Sequence, residues 1–245
     1  MTKYALIFLL ISQIFSITDL YVGYPEKSNS FTTVQEAVNE AASINPIKEE
    51  ERVIIHIYPG TYRQQIVVET PYITFINDDP SIGDVVLTFY YGVGYQYYSA
   101  NENGLFDQNL FEKKASKQKK VRNWGATVHI LSGASYFKAK NINFENSFNY
   151  YVTKEEIEDG VEVSGETGIT VERTLGLDVN AKETTERAAA MSIEGSFVEF
   201  LNCKFFGSQD TLYTGGSPLY FKNCLIEGQT DYIFGGRMLF LILVN

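Results

Sequence analysis

From residue 53 onward the chain is built of short runs in which apolar and polar residues alternate, separated by Gly, Asn, Asp and Pro. Alternation with a period of two marks half-buried strands, and the separating residues mark turns. The pattern predicts strands over residues 53–58, 65–68, 73–77, 85–91 and 127–131, with several more after them. One helical pattern stands out before the strands. Residues 34–42 (VQEAVNEAA) place Val34, Val38 and nearby alanines on one face, with Ser30 or Thr32 available as the cap. A helix there would close one end of a long β structure.

An internal repeat decides the architecture. FKAKNINFENS (residues 137–147), VEFLNCKFFGS (198–208) and LYFKNCLIEGQ (219–229) each put an asparagine in the middle of an alternating run: Asn141, Asn202 and Asn223. The last two lie 21 residues apart, as do Cys203 and Cys224. That period matches one coil of a β-solenoid, whose neighbouring coils pair as parallel strands and stack equivalent residues in ladders. Paired strands lie about 4.8 Å apart, so the two cysteines are expected one above the other, as a disulfide or as two buried thiols.

Two stretches break the repeat. Residues 90–123 are rich in Tyr, Asn and Lys, and residues 149–186 are polar; both read as long loops leaving the solenoid. Tyr95, Tyr97, Tyr98 and Trp124 are candidates for stacking on sugar rings, or for folding back on their own loop.

Composition narrows the partners. The chain has 245 residues, 44% of them hydrophobic, enough for one domain with a sizeable core. A net charge of −10 leaves no basic footprint for nucleic acid. The run at residues 113–120 (KKASKQKK) reads as a solvated loop. Lys3 precedes the apolar stretch 4–15, which has the length of a signal-peptide core and is too short to span a bilayer. Residues 1–18 are therefore expected to be a secretory signal and 19–245 the folded domain, extracellular, without a membrane span and monomeric. His56 and His129 lie in strand-like runs without partners at motif spacing and read as structural.

The period of 21 also connects Asp210 to Asp231. On neighbouring coils the two carboxylates would face one groove and could not ionise independently, so that one holds its proton while the other acts as a nucleophile. Gln209, beside Asp210, offers an amide donor for an oxyanion. Taken alone, two aspartates in turns have a structural explanation as well.

GSQDTLY (207–213) and TDYIFG (230–235) resemble the two signature segments of the pectinesterase family, in that family's order and spacing. FTTVQEAV from Phe31, IYPGTYRQ from Ile57, ATVHILSGASYFKAKNINFENS from Ala126 and RAAAMSIEGSFVEFLNCKFFGSQDTLY from Arg187 are similar to it too. The resemblance implies an all-β, right-handed single-stranded parallel β-helix with a short N-terminal capping helix. It implies hydrolysis of methyl esters on galacturonate units of pectin (methylesterified homogalacturonan), without metal or cofactor. Asp231 would be the nucleophile, Asp210 the general acid and then base, and Gln209 the oxyanion donor; Tyr213 and Phe234 would line the sugar cleft.

The chain departs from the family in three places. Arg187 stands where many members have Gln; a guanidinium can donate to an oxyanion or bind a carboxylate, or it can form a structural salt bridge. Tyr232 replaces Phe in the second signature. The family's later LGRPW segment, whose Arg holds the nucleophile, has no counterpart before Asn245, and Arg237 lies too near Asp231 to replace it. A solenoid missing its last coils is expected to be poorly soluble and weakly active. The alternatives are a non-catalytic polysaccharide-binding fragment of the same fold, or another pectin-active β-helix enzyme. A pectate lyase would want a calcium-binding carboxylate cluster and a polygalacturonase several aspartates suited to glycoside cleavage; Gln209, Asp210 and Asp231 suit ester hydrolysis better.

Overall fold

The computed structural model describes residues 17–114, 120–160, 162–163, 174–176, 187–236 and 238–245. The described chain winds through three parallel sheets. Seven strands form the first: Thr18–Val22, Val53–Ile57, Ile73–Ile76, Lys138–Lys140, Val198–Leu201, Leu219–Lys222 and Leu239–Ile242. Five form the second: Gly60–Arg63, Val85–Phe89, Ile142–Asn146, Lys204–Phe206 and Leu225–Glu227. The third holds Ile66–Val68, Val128–Ile130, Met191–Ile193, Leu212–Thr214 and Ile233–Phe234. Each coil gives one strand to each sheet in turn, and the next coil pairs with it in parallel, which makes the molecule a parallel β-helix. Val198 lies opposite Leu219, Lys204 opposite Leu225 and Leu212 opposite Ile233, so all three sheets share the 21-residue offset read from the repeat.

Alternation explains the core. Inward residues of successive coils stack: the Phe144 and Phe205 rings lie 5.2 Å apart and 16° from parallel, and those of Phe200 and Phe221 4.9 Å and 15°. All four are fully buried. Cys203 and Cys224, in equivalent positions, are two free buried thiols.

The corner between the first and second sheets needs a left-handed residue. Asn141, Asn202 and Asn223 fill it with φ of 59°, 54° and 54°, a region asparagine tolerates better than most residues. Their side chains form the expected ladder: the Asn202 amide donates to Asn141 Oδ1 at 3.1 Å and the Asn223 amide to Asn202 Oδ1 at 3.2 Å. The corner between the third and first sheets is also left-handed and holds Tyr72, Tyr136 and Phe197. Their rings stack at 4.8 and 4.9 Å, within 5° of parallel.

Helix α1 (Val34–Ile44) packs against the first coils with Val34, Ala37, Val38 and Ala41 buried. Its cap is Thr33, not Ser30 or Thr32. The Thr33 side chain accepts from the Glu36 N–H while the Glu36 carboxylate accepts from the Thr33 N–H, a reciprocal pair that Thr32, one residue further out, cannot make. Thr32 donates to the Glu36 carboxylate instead.

The two breaks in the repeat are excursions between a second-sheet and a third-sheet strand. The first, after Phe89, contains Tyr95–Gln96, helix α2 (Gln108–Lys113) and the turn Asn123–Gly125. The second, after Asn146, contains helix α3 (Lys154–Glu158) and Glu162–Val163, which pairs antiparallel with Tyr95–Gln96. Most of 113–120 and of 161–186 lies outside the described residues. The excursions build their own core of Phe89, Tyr90, Tyr91, Tyr95, Tyr97, Ala100, Phe148 and Ala188. Asp159, fully buried, ties them together by accepting from the Tyr90 hydroxyl, the Ser99 N–H and the Ser99 hydroxyl. Tyr95 and Tyr97 thus fold back on their loop.

His56 bridges Asp19 and Asp78 at 3.0 and 2.8 Å on the first sheet's outer face. His129 is fully buried, and burial, with the Arg122 charge second, lowers its pKa to about 3 and keeps it neutral.

The ladder makes a measurable contribution. Asn202→Ala is expected to lower unfolding free energy by about 1–3 kcal/mol in urea titrations, through lost rung bonds and a strained left-handed alanine. Asn202→Gly should recover the backbone part alone. Equal stability of both variants and the wild type would show the ladder to be inert.

Candidate active site

Asp210 and Asp231 each stand two residues before a third-sheet strand, Leu212–Thr214 and Ile233–Phe234. Leu212 pairs with Ile233, so the aspartates occupy equivalent places on neighbouring coils, where strands lie about 4.8 Å apart. Both backbones are left-handed, with φ of 61° and 48°. Ladder bonds on either side hold them there: Asp210 N–H donates to Thr230 O at 3.0 Å and Leu212 N–H to Tyr232 O at 2.9 Å.

The two environments differ. Asp210 is 5% exposed, whereas Asp231 is exposed. Burial raises the Asp210 pKa to about 6, opposed by the Arg187 charge and reinforced by Asp231. Asp210 therefore keeps its proton to higher pH than an ordinary aspartate, up to about pH 6.

Arg187 and Gln209 join them from the preceding coil and the same coil. Their backbones bridge, with Ala188 N–H donating to Gln209 O at 3.1 Å. The Arg187 carbonyl accepts from Val93 N–H at 2.9 Å, which anchors the first excursion beside the pair. The Arg187 side chain is exposed and Gln209 half-buried. Tyr213 and Phe234 follow the aspartates on the two strands, their ring centroids 5.3 Å apart. Trp124, from the first excursion, packs on both, at 4.5 Å from Tyr213 and 4.7 Å from Phe234. It therefore lies in the groove and not on its own loop. Its φ is 58°, and the following Gly125 has φ 69° with no room for a β-carbon, which would fall 2.4 Å from Tyr91 O. Arg237 lies outside the described residues.

Sequence reading missed two positioning residues. Asn146, 1% exposed, brings its amide nitrogen within 2.9–3.1 Å of the carbonyls of Tyr91, Gly125 and Ala189, fastening the first excursion to the floor of the groove. The FENS end of the repeat was the available signal. Tyr150 donates to Gly207 O at 2.7 Å and closes a cavity of about 170 Å³ beside Ser208 and Gln229. A cavity of about 710 Å³ lies elsewhere, between α1 and the first excursion, and none of the groove residues above lines it. The in-register aspartate pair lies outside that cavity.

A parallel β-helix with two aspartates on adjacent coils, an amide, a guanidinium and an aromatic cluster beside them defines a class of solenoid with paired carboxylates on one face. The comparisons narrow that class. The pectinesterase family model matches residues 149–242. A putative pectinesterase 63 of Arabidopsis thaliana is 31% identical over 214 residues, covering 86% of this chain and 46% of its own length. A pectinesterase 1 of Olea europaea is 28% identical, covering 84% and 42%. Among solved structures, carrot pectin methylesterase superposes with a TM-score of 0.56 at 21% identity over 93% of this chain and 51% of its own. The rice weevil enzyme gives 0.57 at 22%, over 89% and 52%. The chain belongs to the pectinesterase family and spans about half the length of the relatives it matches.

The buried Asp210 sets a pH dependence. Its folded pKa lies above its unfolded value, so its contribution to stability is full below about pH 4 and is lost as pH rises through about 6. Asp159, also raised to about 6 by burial, acts in the same direction. Asp210→Asn is expected to exceed wild-type stability by about 1–2 kcal/mol at pH 8, the difference vanishing near pH 4. A pH-independent difference in denaturant titrations would refute the raised pKa.

Proposed function

We propose that this groove hydrolyses methyl esters on the galacturonate units of pectin, releasing methanol and leaving a free carboxylate. Asp231 attacks the ester carbonyl, and Gln209, assisted by Arg187, donates to the tetrahedral oxyanion. Collapse breaks the bond to the methoxy oxygen. Asp210 gives that oxygen its proton, so methanol leaves and an acyl-enzyme anhydride with Asp231 remains. Asp210, now a carboxylate, takes a proton from water, whose oxygen attacks the anhydride and restores both residues. Nucleophile and proton both come from the aspartates, so the sequence balances without a cofactor.

The observation that carries this reading is the asymmetry of the pair: in-register carboxylates, one buried with its pKa raised to about 6, the other exposed. The Trp124, Tyr213 and Phe234 cluster offers a platform for pyranose rings. One structural relative is a pectin methylesterase in complex with a hexasaccharide, which supports methylesterified homogalacturonan as the partner of this chain. The same reading makes the protein extracellular and monomeric, with a secretory signal at the N-terminus that ends short of the expected residue 18, because Thr18 opens the first strand and pairs with Val53.

The test is methanol release from highly methylated pectin. Asp231→Ala should reduce the rate by a factor on the order of 10³ or more, and Asp210→Asn by about 10²–10⁴. Where acylation limits the rate, turnover should fall as pH rises above about 6, because Asp210 then lacks its proton. Release that survives Asp231→Ala would overturn the mechanism. No release from folded wild-type protein would leave a polysaccharide-binding module.

A further inference from the structure

The cavity between α1, the corner at residues 63–67 and the first excursion has a volume of about 710 Å³, in the range of small-molecule sites. Val67, which lines it, is three coil steps from Tyr213, through His129 and Ser192. At about 4.8 Å per step, the cavity lies roughly 14 Å along the axis from the Asp210 coil.

One wall consists of amides with fixed orientation. Gln64 Oε1 accepts from Gln35 N–H at 2.9 Å, and Gln35 Oε1 accepts from Val67 N–H at 2.7 Å, stitching α1 to the third sheet. Asn101 Oδ1 accepts from the N–H groups of Asn103 and Leu105 at 2.9 and 3.1 Å. With their oxygens committed, Gln64 and Asn101 keep their amide nitrogens as donors, and among the described residues neither nitrogen has an acceptor. The other wall is aromatic. Phe106 sits 5.6 Å from the buried Phe89 and 6.0 Å from Phe111, with Phe106 and Phe111 half-exposed. At the rim, Glu36 and Glu155 outnumber Arg63.

An aromatic wall facing rigid amide donors matches a pyranose, which has an apolar face and an edge of hydroxyl, ring and carbonyl oxygens. The excess of carboxylates at the rim disfavours a free uronate. We propose that this cavity is a second carbohydrate site that binds an uncharged saccharide segment. The same chemistry occurs in a fully methyl-esterified galacturonan stretch and in a neutral glucan. The site does not depend on the aspartate pair.

Calorimetric titration in an Asp231→Ala background, which prevents turnover of esters, tests it. The probes are fully methyl-esterified hexagalacturonate, its free acid and cellohexaose. At least one neutral probe should bind, and which of them does identifies the source. Gln64→Glu keeps the oxygen that accepts from Gln35 but removes the donor; it and Phe111→Ala should each weaken binding at least tenfold. Trp124→Ala, in the groove, should remove only the groove's share of ester binding and leave in place the share that Gln64→Glu and Phe111→Ala weaken, and at that remaining site the free acid should bind at least tenfold more weakly than the ester. Should Gln64→Glu lower the melting temperature, Asn101→Asp, which likewise keeps its acceptor oxygen, takes its place. Absence of neutral binding, insensitivity to both cavity variants, loss of all neutral binding in Trp124→Ala or tighter binding of the free acid in that background would overturn the proposal. Because binding is read without methanol release, its failure is distinct from failure of the esterase reading.

Discussion

Everything in this molecule depends on coils pairing in parallel with zero slip. A strand displaced by one residue would turn its inward phenylalanines to solvent and its outward side chains into the core. Phe200 over Phe221 and Phe144 over Phe205 hold the register from inside. The corners hold it from outside, through the asparagine rungs on one edge and the stacked rings of Tyr72, Tyr136 and Phe197 on another. The aspartate pair inherits this precision. Asp210 and Asp231 meet because Leu212 meets Ile233, and a groove needing two carboxylates at strand spacing obtains that spacing from the backbone.

Environment then divides two chemically identical residues. Asp210 is buried on a coil whose neighbour is the small-residue segment Ala188, Ala189 and Ala190, with Ala188 N–H donating to Gln209 O and Ala190 N–H to Thr211 O; Asp231, on the next coil, is exposed. The excursions do more than cover the groove. Through Asn146 and the backbone of Arg187 they are fastened to its floor, and they bring in Trp124, which no coil supplies.

The parts of this arrangement legible in the sequence are those with a period. Asn202 and Asn223, Cys203 and Cys224, and Asp210 and Asp231 share one interval, and one interval places all three pairs. Alternation located the early strands to within a residue or two. The excursions carry no period, and their contacts join residues far apart in the chain: Asp159 with Ser99, Tyr150 with Gly207. Composition marked them as loops but did not show that Tyr95 and Tyr97 pack inward while Trp124 reaches across to Tyr213. The helix cap was misplaced by one position because Thr32 and Thr33 are chemically alike, and only the reciprocal bond with Glu36 separates them. The amide-lined cavity was invisible for the same reason as the excursions: its walls come from α1, a coil corner and a loop.

The separate core of the excursions has a consequence for motion. The tyrosine cluster forms a core distinct from the main stack, tied to the coils through Phe89 at the end of a second-sheet strand, Ala188, the packing of Trp124 on Tyr213 and Phe234, and a few hydrogen bonds. Such a unit can open as a subglobal event while the coils stay folded. Amide hydrogens of residues 95–100 would then exchange together, faster than those of strands such as 198–201. The groove would have a movable side and a rigid one. The rigid side holds the aspartates and the movable side holds Trp124, so opening would lift the indole from Tyr213 and Phe234 without moving the carboxylate pair.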